Sequence, residues 1–304
     1  MGRLSVSLCG IELDNPVLAA SGTFGYGHEF AELYDISILG SFSFKGTTPE
    51  ERRGNALPRI AETPAGMLNA IGLQNPGVEG VIRDELPKLR EVFNKPVMAN
   101  IGGQSALEYA EAAERLGCEE QVGWLEVNIS CPNVRCGGMS FGTDPKAAAE
   151  VTRAVRAVTK KPVIMKLSPN VTDIAAIARA CEDAGADGIS LINTLLGMRI
   201  DLKTKRPVLA NTTGGLSGPA VFPVALRMVW QVYEAVGIPV VGIGGIDSAE
   251  KVVEMMLAGA TCVEIGAANL RDPFACPKMI QALPEVLDRI GVENIADLTG
   301  AAHR

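Results

Sequence analysis

Along this chain, short apolar runs rich in β-branched residues alternate with longer segments in which apolar positions recur every three or four residues. Runs of the first kind read as buried strands, those of the second as amphipathic helices. Strands are expected at 16–20, 36–44, 96–101, 124–130, 162–167, 188–194, 239–243 and 262–265. Helices are expected at 105–116, 146–159, 173–184, 219–236 and 248–258. Gly117, Gly185, Gly237 and Gly259 supply C-terminal stops. Asp144-Pro145 opens one helix as an N-cap followed by proline at the first helical position. Three joints (Asn94-Lys95-Pro96-Val97, Lys160-Lys161-Pro162-Val163 and Gly237-Ile238-Pro239-Val240) put a proline at the start of a buried strand, where no ladder donor is needed.

Eight β runs with helices between them predict an α/β protein of the (β/α)8 TIM-barrel type, one domain over 1–304. A doubly wound sheet is the structural alternative. Residues 5–13 are expected to form a small N-terminal β-hairpin closing the barrel bottom. Two connections, 47–76 and 195–217, are longer than a barrel needs. Long top-face loops line or cover sites.

Composition narrows the function classes. The 304 residues are 47% hydrophobic, enough for a large core, and the net charge of −7 with dispersed basic residues excludes a nucleic-acid surface or a polybasic membrane patch. The N-terminus lacks the apolar stretch of a signal peptide, and no apolar run is long enough to span a bilayer. Seven scattered cysteines read as reduced thiols in a cytoplasmic protein. With only His28 and His303, histidine triads and multi-histidine metal sites are poor explanations, and no metal is expected.

Chemistry concentrates at strand ends. Asn128-Ile129-Ser130-Cys131-Pro132-Asn133 leads into Gly137-Gly138 and Phe141-Gly142, placing a cysteine at the tip of a strand beside two amides. Such a thiol can act as nucleophile or general base where its surroundings favour the thiolate. For Cys9, Cys118, Cys181, Cys262 and Cys276 the reading is a buried structural thiol. Cys131 and Cys136 alone do not make an iron–sulfur site, which needs four thiolates. Lys45 and Lys166 lie in apolar strand sequence, and a lysine there needs an anion. Their number favours an anionic ligand across the top face. Gly242-Ile243-Gly244-Gly245 and Gly266-Ala267-Ala268 end the last two strands, where such barrels bind phosphate, with Gly214-Gly215 and Gly218 before another helix. Asp247 at the third glycine position argues against a Rossmann fingerprint. Asn69, Asn100, Asn128 and Asn193 offer paired donors and acceptors suited to a heterocycle.

Together these segments resemble class 1 dihydroorotate dehydrogenase over nearly the whole length. The resemblance is carried by Ser43-Phe44-Lys45-Gly46-Thr47, by the run Asn69-Ala70-Ile71-Gly72-Leu73-Gln74-Asn75-Pro76-Gly77, by the segment around Cys131, by Ile192-Asn193-Thr194, by Gly214-Gly215-Leu216-Ser217-Gly218-Pro219 and by Gly242-Ile243-Gly244-Gly245-Ile246. The family's class 1 base is a cysteine, matching Cys131. The membrane-associated class has serine there and an N-terminal extension, which is not expected here. Asn193-Thr194-Leu195-Leu196-Gly197-Met198-Arg199-Ile200-Asp201 with Arg206-Pro207 is similar to the NAD-linked type.

The resemblance implies FMN on Ser21, Lys45, Gly46, Asn100, Asn128, Lys166, Ile192, Gly218, Gly244, Gly245, Gly266 and Ala267. It implies substrate on Lys45, Asn69, Ala70, Ile71, Gly72, Leu73, Asn128, Asn193 and Thr194. It further implies oxidation of (S)-dihydroorotate to orotate, with Cys131 taking the C5 proton and FMN the C6 hydride. Electrons would pass to NAD+ through a partner subunit bearing FAD and a 2Fe–2S cluster, in a heterotetramer of two of each chain. Alternatives are the fumarate-linked class 1 enzyme, a dihydropyrimidine dehydrogenase-like FMN module, and a flavin-free phosphate-binding barrel.

Overall fold

The computed structural model describes residues 2–130 and 141–303. Eight parallel strands carry the architecture: β1 (Val17–Ala19), β2 (Ser41–Phe42), β3 (Val97–Ile101), β4 (Val122–Asn128), β5 (Val163–Lys166), β6 (Gly188–Leu191), β7 (Val240–Ile243) and β8 (Cys262–Ile265). Hydrogen bonding orders them β2-β1-β8-β7-β6-β5-β4-β3. The two ends meet: parallel bridges pair Ser43 with Met98 and Thr47 with Ile101, and Phe44 N donates to Met98 O at 3.0 Å. That closure is the (β/α)8 barrel and excludes the doubly wound sheet. Strand residues are buried almost throughout because helices cover the outside while side chains fill the inside.

The helices follow from caps and apolar spacing. Ser105 Oγ accepts from Glu108 N at 3.2 Å and opens Ala106–Gly117, whose buried Tyr109, Ala112, Ala113 and Leu116 recur at helical spacing. Asp144 caps Pro145–Val158, Asp173 caps Ile174–Asp183 and Ser248 caps Ala249–Leu257 in the same way. No helix among the described residues is long and apolar enough to cross a membrane.

The N-terminal hairpin forms as expected, Val6–Leu8 against Ile11–Leu13. Trp124 Nε1, near the start of β4, donates to Leu8 O at 3.1 Å, which pins the hairpin to the N-terminal end of the barrel. The second strand is shorter than expected. Residues Ile36–Ile38 form a 3-10 turn, because the Asp35 carboxylate accepts from Ser37 N at 2.9 Å and Ile36 O from Leu39 N at 3.1 Å. These donors are spent locally, and pairing with β1 resumes only at Ser41.

The two long connections are not irregular. Leu195–Met198, Thr213–Ser217, Gly66–Asn69 and Ile60–Thr63 form, in that order, one antiparallel sheet above the barrel. Ala61, Leu68 and Leu209 give it a small core of its own.

The cysteines need two corrections: Cys118 is exposed and Cys9 half-buried, whereas Cys181, Cys262 and Cys276 are buried as expected. Burial pushes the Cys181 and Cys276 thiols up to about 12, so both stay protonated and unreactive.

Candidate active site

Inside the top of the barrel sits a polar cluster drawn from six of the eight strands or their ends. Lys166, the last residue of β5, is buried, and its Nζ lies 3.2 Å from Glu126 Oε2 on β4 and 3.1 Å from Glu264 Oε2 on β8. Glu126 Oε2 also accepts from Ser43 Oγ at 2.7 Å and from Asn100 Nδ2 at 2.6 Å, and its Oε1 accepts from Ser190 Oγ at 2.8 Å. The expectation that a buried lysine needs an anion therefore holds, but the protein supplies two carboxyls itself. Both were missed by sequence reasoning. The signal was present in Trp124-Leu125-Glu126-Val127 and Cys262-Val263-Glu264-Ile265, where the cost of burying a charge applies to glutamate as it does to lysine.

Electrostatics separates the two carboxyls. Burial alone would raise Glu126, but the Lys166 ammonium and the hydrogen bonds outweigh it and hold this carboxylate below its ordinary value. Burial, reinforced by the charge on Glu126, pushes Glu264 well above its ordinary value. Burial disfavours the charge on Lys166, yet the two carboxyls overcome that and raise its pKa, so the ammonium persists.

Around this floor the structure gathers several of the sequence-derived candidates. Asn100 is buried beside Glu126, and its Oδ1 finds no hydrogen-bond partner. Gly46 passes so close that a Cβ there would fall 2.7 Å from this oxygen. Leu73 packs over Gly46 and Gly102. Asn193 Nδ2 donates to Asn128 Oδ1 at 3.0 Å, Thr194 N donates to Asn193 Oδ1 at 2.8 Å, and Tyr109 Oη donates to Asn128 O at 2.7 Å, so these residues form one amide corner. Lys45 is half-buried and extends toward Gly22, the residue after Ser21.

A second group lies at the ends of β6, β7 and β8. Buried Ile192 packs against Gly244, Gly245 abuts Gly218, and Gly266, which precedes Ala267, faces Ala20. Gly245 has φ of 70°, and a Cβ there would fall 2.7 Å from Phe222 N and 2.9 Å from Gly218 O. Both neighbours are backbone and cannot yield. Gly245→Ala should therefore lower stability by roughly 1–3 kcal/mol and weaken binding of any phosphate held at this turn, measured by thermal unfolding and by ligand content after purification.

Other candidates stand apart. Asn69 lies on the small sheet and directs its Nδ2 at Gly215 O, a long 3.5 Å contact. Ala70 O accepts from Asn55 Nδ2 at 2.9 Å, Ile71 O accepts from Asn55 N at 2.9 Å, and Gly72 packs on the Asn55 side chain. Cys131, with Cys136, lies outside the described residues.

The residues present fit a flavin mononucleotide. The unpartnered acceptor on Asn100 matches a ring N–H, the Lys166 ammonium matches a ring edge that gains negative charge, and the glycine turns leave backbone exposed to a phosphate.

Comparisons with known proteins identify the family and the fold. The family model described as dihydroorotate dehydrogenase matches residues 3–287. A relative from Anoxybacillus flavithermus, the catalytic subunit of dihydroorotate dehydrogenase B (NAD(+)), is 55% identical over 99% of this chain and 96% of its own length. Its counterpart from Shouchella clausii, of the same name, is 56% identical over 99% of both chains. Among solved structures, DHODH from Eimeria tenella in complex with ferulenol aligns with a TM-score of 0.82 at 21% identity, covering 99% of this chain and 89% of that one, a likeness of fold.

Proposed function

Because the chain belongs to the dihydroorotate dehydrogenase family, we propose that it is the FMN-bearing catalytic subunit of the NAD+-linked type. It oxidises (S)-dihydroorotate to orotate in pyrimidine biosynthesis. The observation that carries the activity is the similarity, over nearly the full length, to catalytic subunits of that type; it favours NAD+ over the fumarate-linked alternative.

When bound, FMN supplies the ring that accepts the substrate's C6 hydride. Ser21, Lys45, Gly46, Asn100, Asn128, Lys166 and Ile192 would surround that ring, and Gly218, Gly244, Gly245, Gly266 and Ala267 its phosphate. Support for the first group comes from the convergence of Asn100 and Lys166 on Glu126, and for the second from the packing of Ile192, Gly244, Gly245 and Gly218. Cys131 takes the C5 proton as a thiolate base. Lys45 neutralises the substrate carboxylate. The 69–73 run, the Asn128–Asn193 amide corner and Thr194 read the pyrimidine edge, where an amide donates and accepts at once. Lys166 compensates negative charge that develops at the flavin N1/O2 edge.

The work is divided between two proteins. A separate electron-transfer subunit carries FAD and a 2Fe–2S cluster and delivers electrons to NAD+, in a cytoplasmic heterotetramer of two of each chain. Residues 1–304 act within it as one FMN-binding unit.

The test is anaerobic. The purified yellow protein should bleach on adding dihydroorotate, and NAD+ should restore the colour only when the partner subunit is present. Reoxidation by fumarate without a partner would move the protein to the fumarate-linked type. Bleaching by dihydrouracil in place of dihydroorotate would move it to the dihydropyrimidine dehydrogenases.

A further inference from the structure

Two buried carboxyls share one ammonium at the floor of the site, and their surroundings differ. Glu126 is ringed by donors: Ser43, Asn100 and Lys166 on Oε2 and Ser190 on Oε1. Four donors match the acceptor capacity of an ionised carboxylate. Glu264, equally buried, accepts from Lys166 through Oε2, while its Oε1 has no hydrogen-bond partner. If both were ionised, the barrel would hold two negative charges against one positive, with one buried carboxylate oxygen left without a hydrogen-bond donor. Neither is compensated there.

We propose that Glu264 is the neutral member of the pair, a carboxylic acid that positions Lys166 without cancelling its charge. The floor then carries one ammonium and one carboxylate. Two of the three N–H groups of Lys166 go to the carboxyls. A second carboxylate would leave the floor negative and oppose any negative charge gained above it. An apolar residue in place of Glu264 would release the ammonium from its three-strand anchorage. A protonated acid avoids both outcomes. The other titratable neighbour on the same strand, Cys262, is held as a thiol, mainly by its burial, so it adds no charge. The direction in which burial and Glu126 push Glu264 agrees with the assignment.

The consequence for the flavin rests on the FMN reading above, whereas the protonation state does not, so the two are tested separately. Infrared spectra of the holoprotein at neutral pH should contain the C=O stretch of a buried protonated carboxyl, lost in Glu264→Gln. Glu126→Gln alone would leave Lys166 with Glu264 as its one carboxyl, and Glu264 should then ionise in its place, so the charge comparison uses the double variant. In potentiometric titration of bound FMN, Glu264→Gln exchanges one neutral group for another and should change the preference for reduced over oxidised FMN by less than about twofold, whereas Glu126→Gln combined with Glu264→Gln removes the one negative charge and should raise it about tenfold or more. Absence of the band from the native protein, its survival in Glu264→Gln, or a tenfold shift of potential in Glu264→Gln alone would each overturn the proposal. Should the double variant fail to fold, the infrared comparison of the native protein with Glu264→Gln decides alone.

Discussion

Lys166→Ala should lose stability and flavin together. Its ammonium faces Glu126 at 3.2 Å and Glu264 at 3.1 Å, buried inside a closed barrel. Removing one partner of a buried ion pair costs about 3–5 kcal/mol, because the remaining charge keeps its desolvation penalty and loses its compensation. Glu126 still has Ser43, Asn100 and Ser190 as donors, so the fold should survive with a lower urea midpoint. The flavin should suffer more, since the positive charge that compensates its reduced form is gone. Purified Lys166→Ala is expected to be pale, or yellow and slowly reduced by dihydroorotate. The double variant Lys166→Met with Glu126→Gln removes both charges at once. It should recover most of the stability while flavin reduction stays impaired, which separates the structural part of the ion pair from its chemical part. A Lys166→Ala protein that is fully flavinated and reduced at the native rate would contradict the role given to this residue.

The second large effect is expected at Cys131. A positioned general base contributes about 10²–10⁴ in rate, and Cys131→Ala should lose turnover by that factor while FMN content and orotate affinity stay near native. Cys131→Ser should sit between the two, because a hydroxyl in the same place holds its proton far more tightly than a thiol. The native enzyme should lose kcat/KM toward low pH as the thiolate is protonated, and that limb should disappear in Cys131→Ala. Stopped-flow flavin reduction by dihydroorotate isolates the step. Near-native reduction in Cys131→Ala at neutral pH would remove this thiol from the mechanism.

Lys166 and its carboxyls illustrate what a reading of the chain reaches. A lysine in an apolar strand announces its need for an anion, and the position at the end of β5 was legible from the pattern alone. The identity of the anion was not. Glu126 and Glu264 are separated from Lys166 by 40 and 98 residues, and their side chains meet it only because the barrel closes. The alternation of the strands says which residues are buried, not which of them share a layer.

The same division runs through the molecule. Local chemistry determined most strands, the five expected helices, the Asp and Ser caps, the glycine stops and the N-terminal hairpin, since each depends on residues a few positions apart; the helices Leu86–Val92 and Ala275–Ile290 were not among those expected. It failed at 36–38, where the Asp35 side chain outcompetes a strand ladder. It also failed for the small sheet, whose central pairing joins Gly66–Asn69 to Thr213–Ser217. Those segments are short and contain glycine, and they carry little periodicity of their own; each pairs on one edge with a nearby strand and on the other with a partner about 150 residues away. The sequence by itself determined a chain of alternating strands and helices with its reactive residues at the strand tips. Tertiary structure alone decided which tips face one another, and which of two buried carboxyls can afford to be charged, because both depend on distances across a closed barrel.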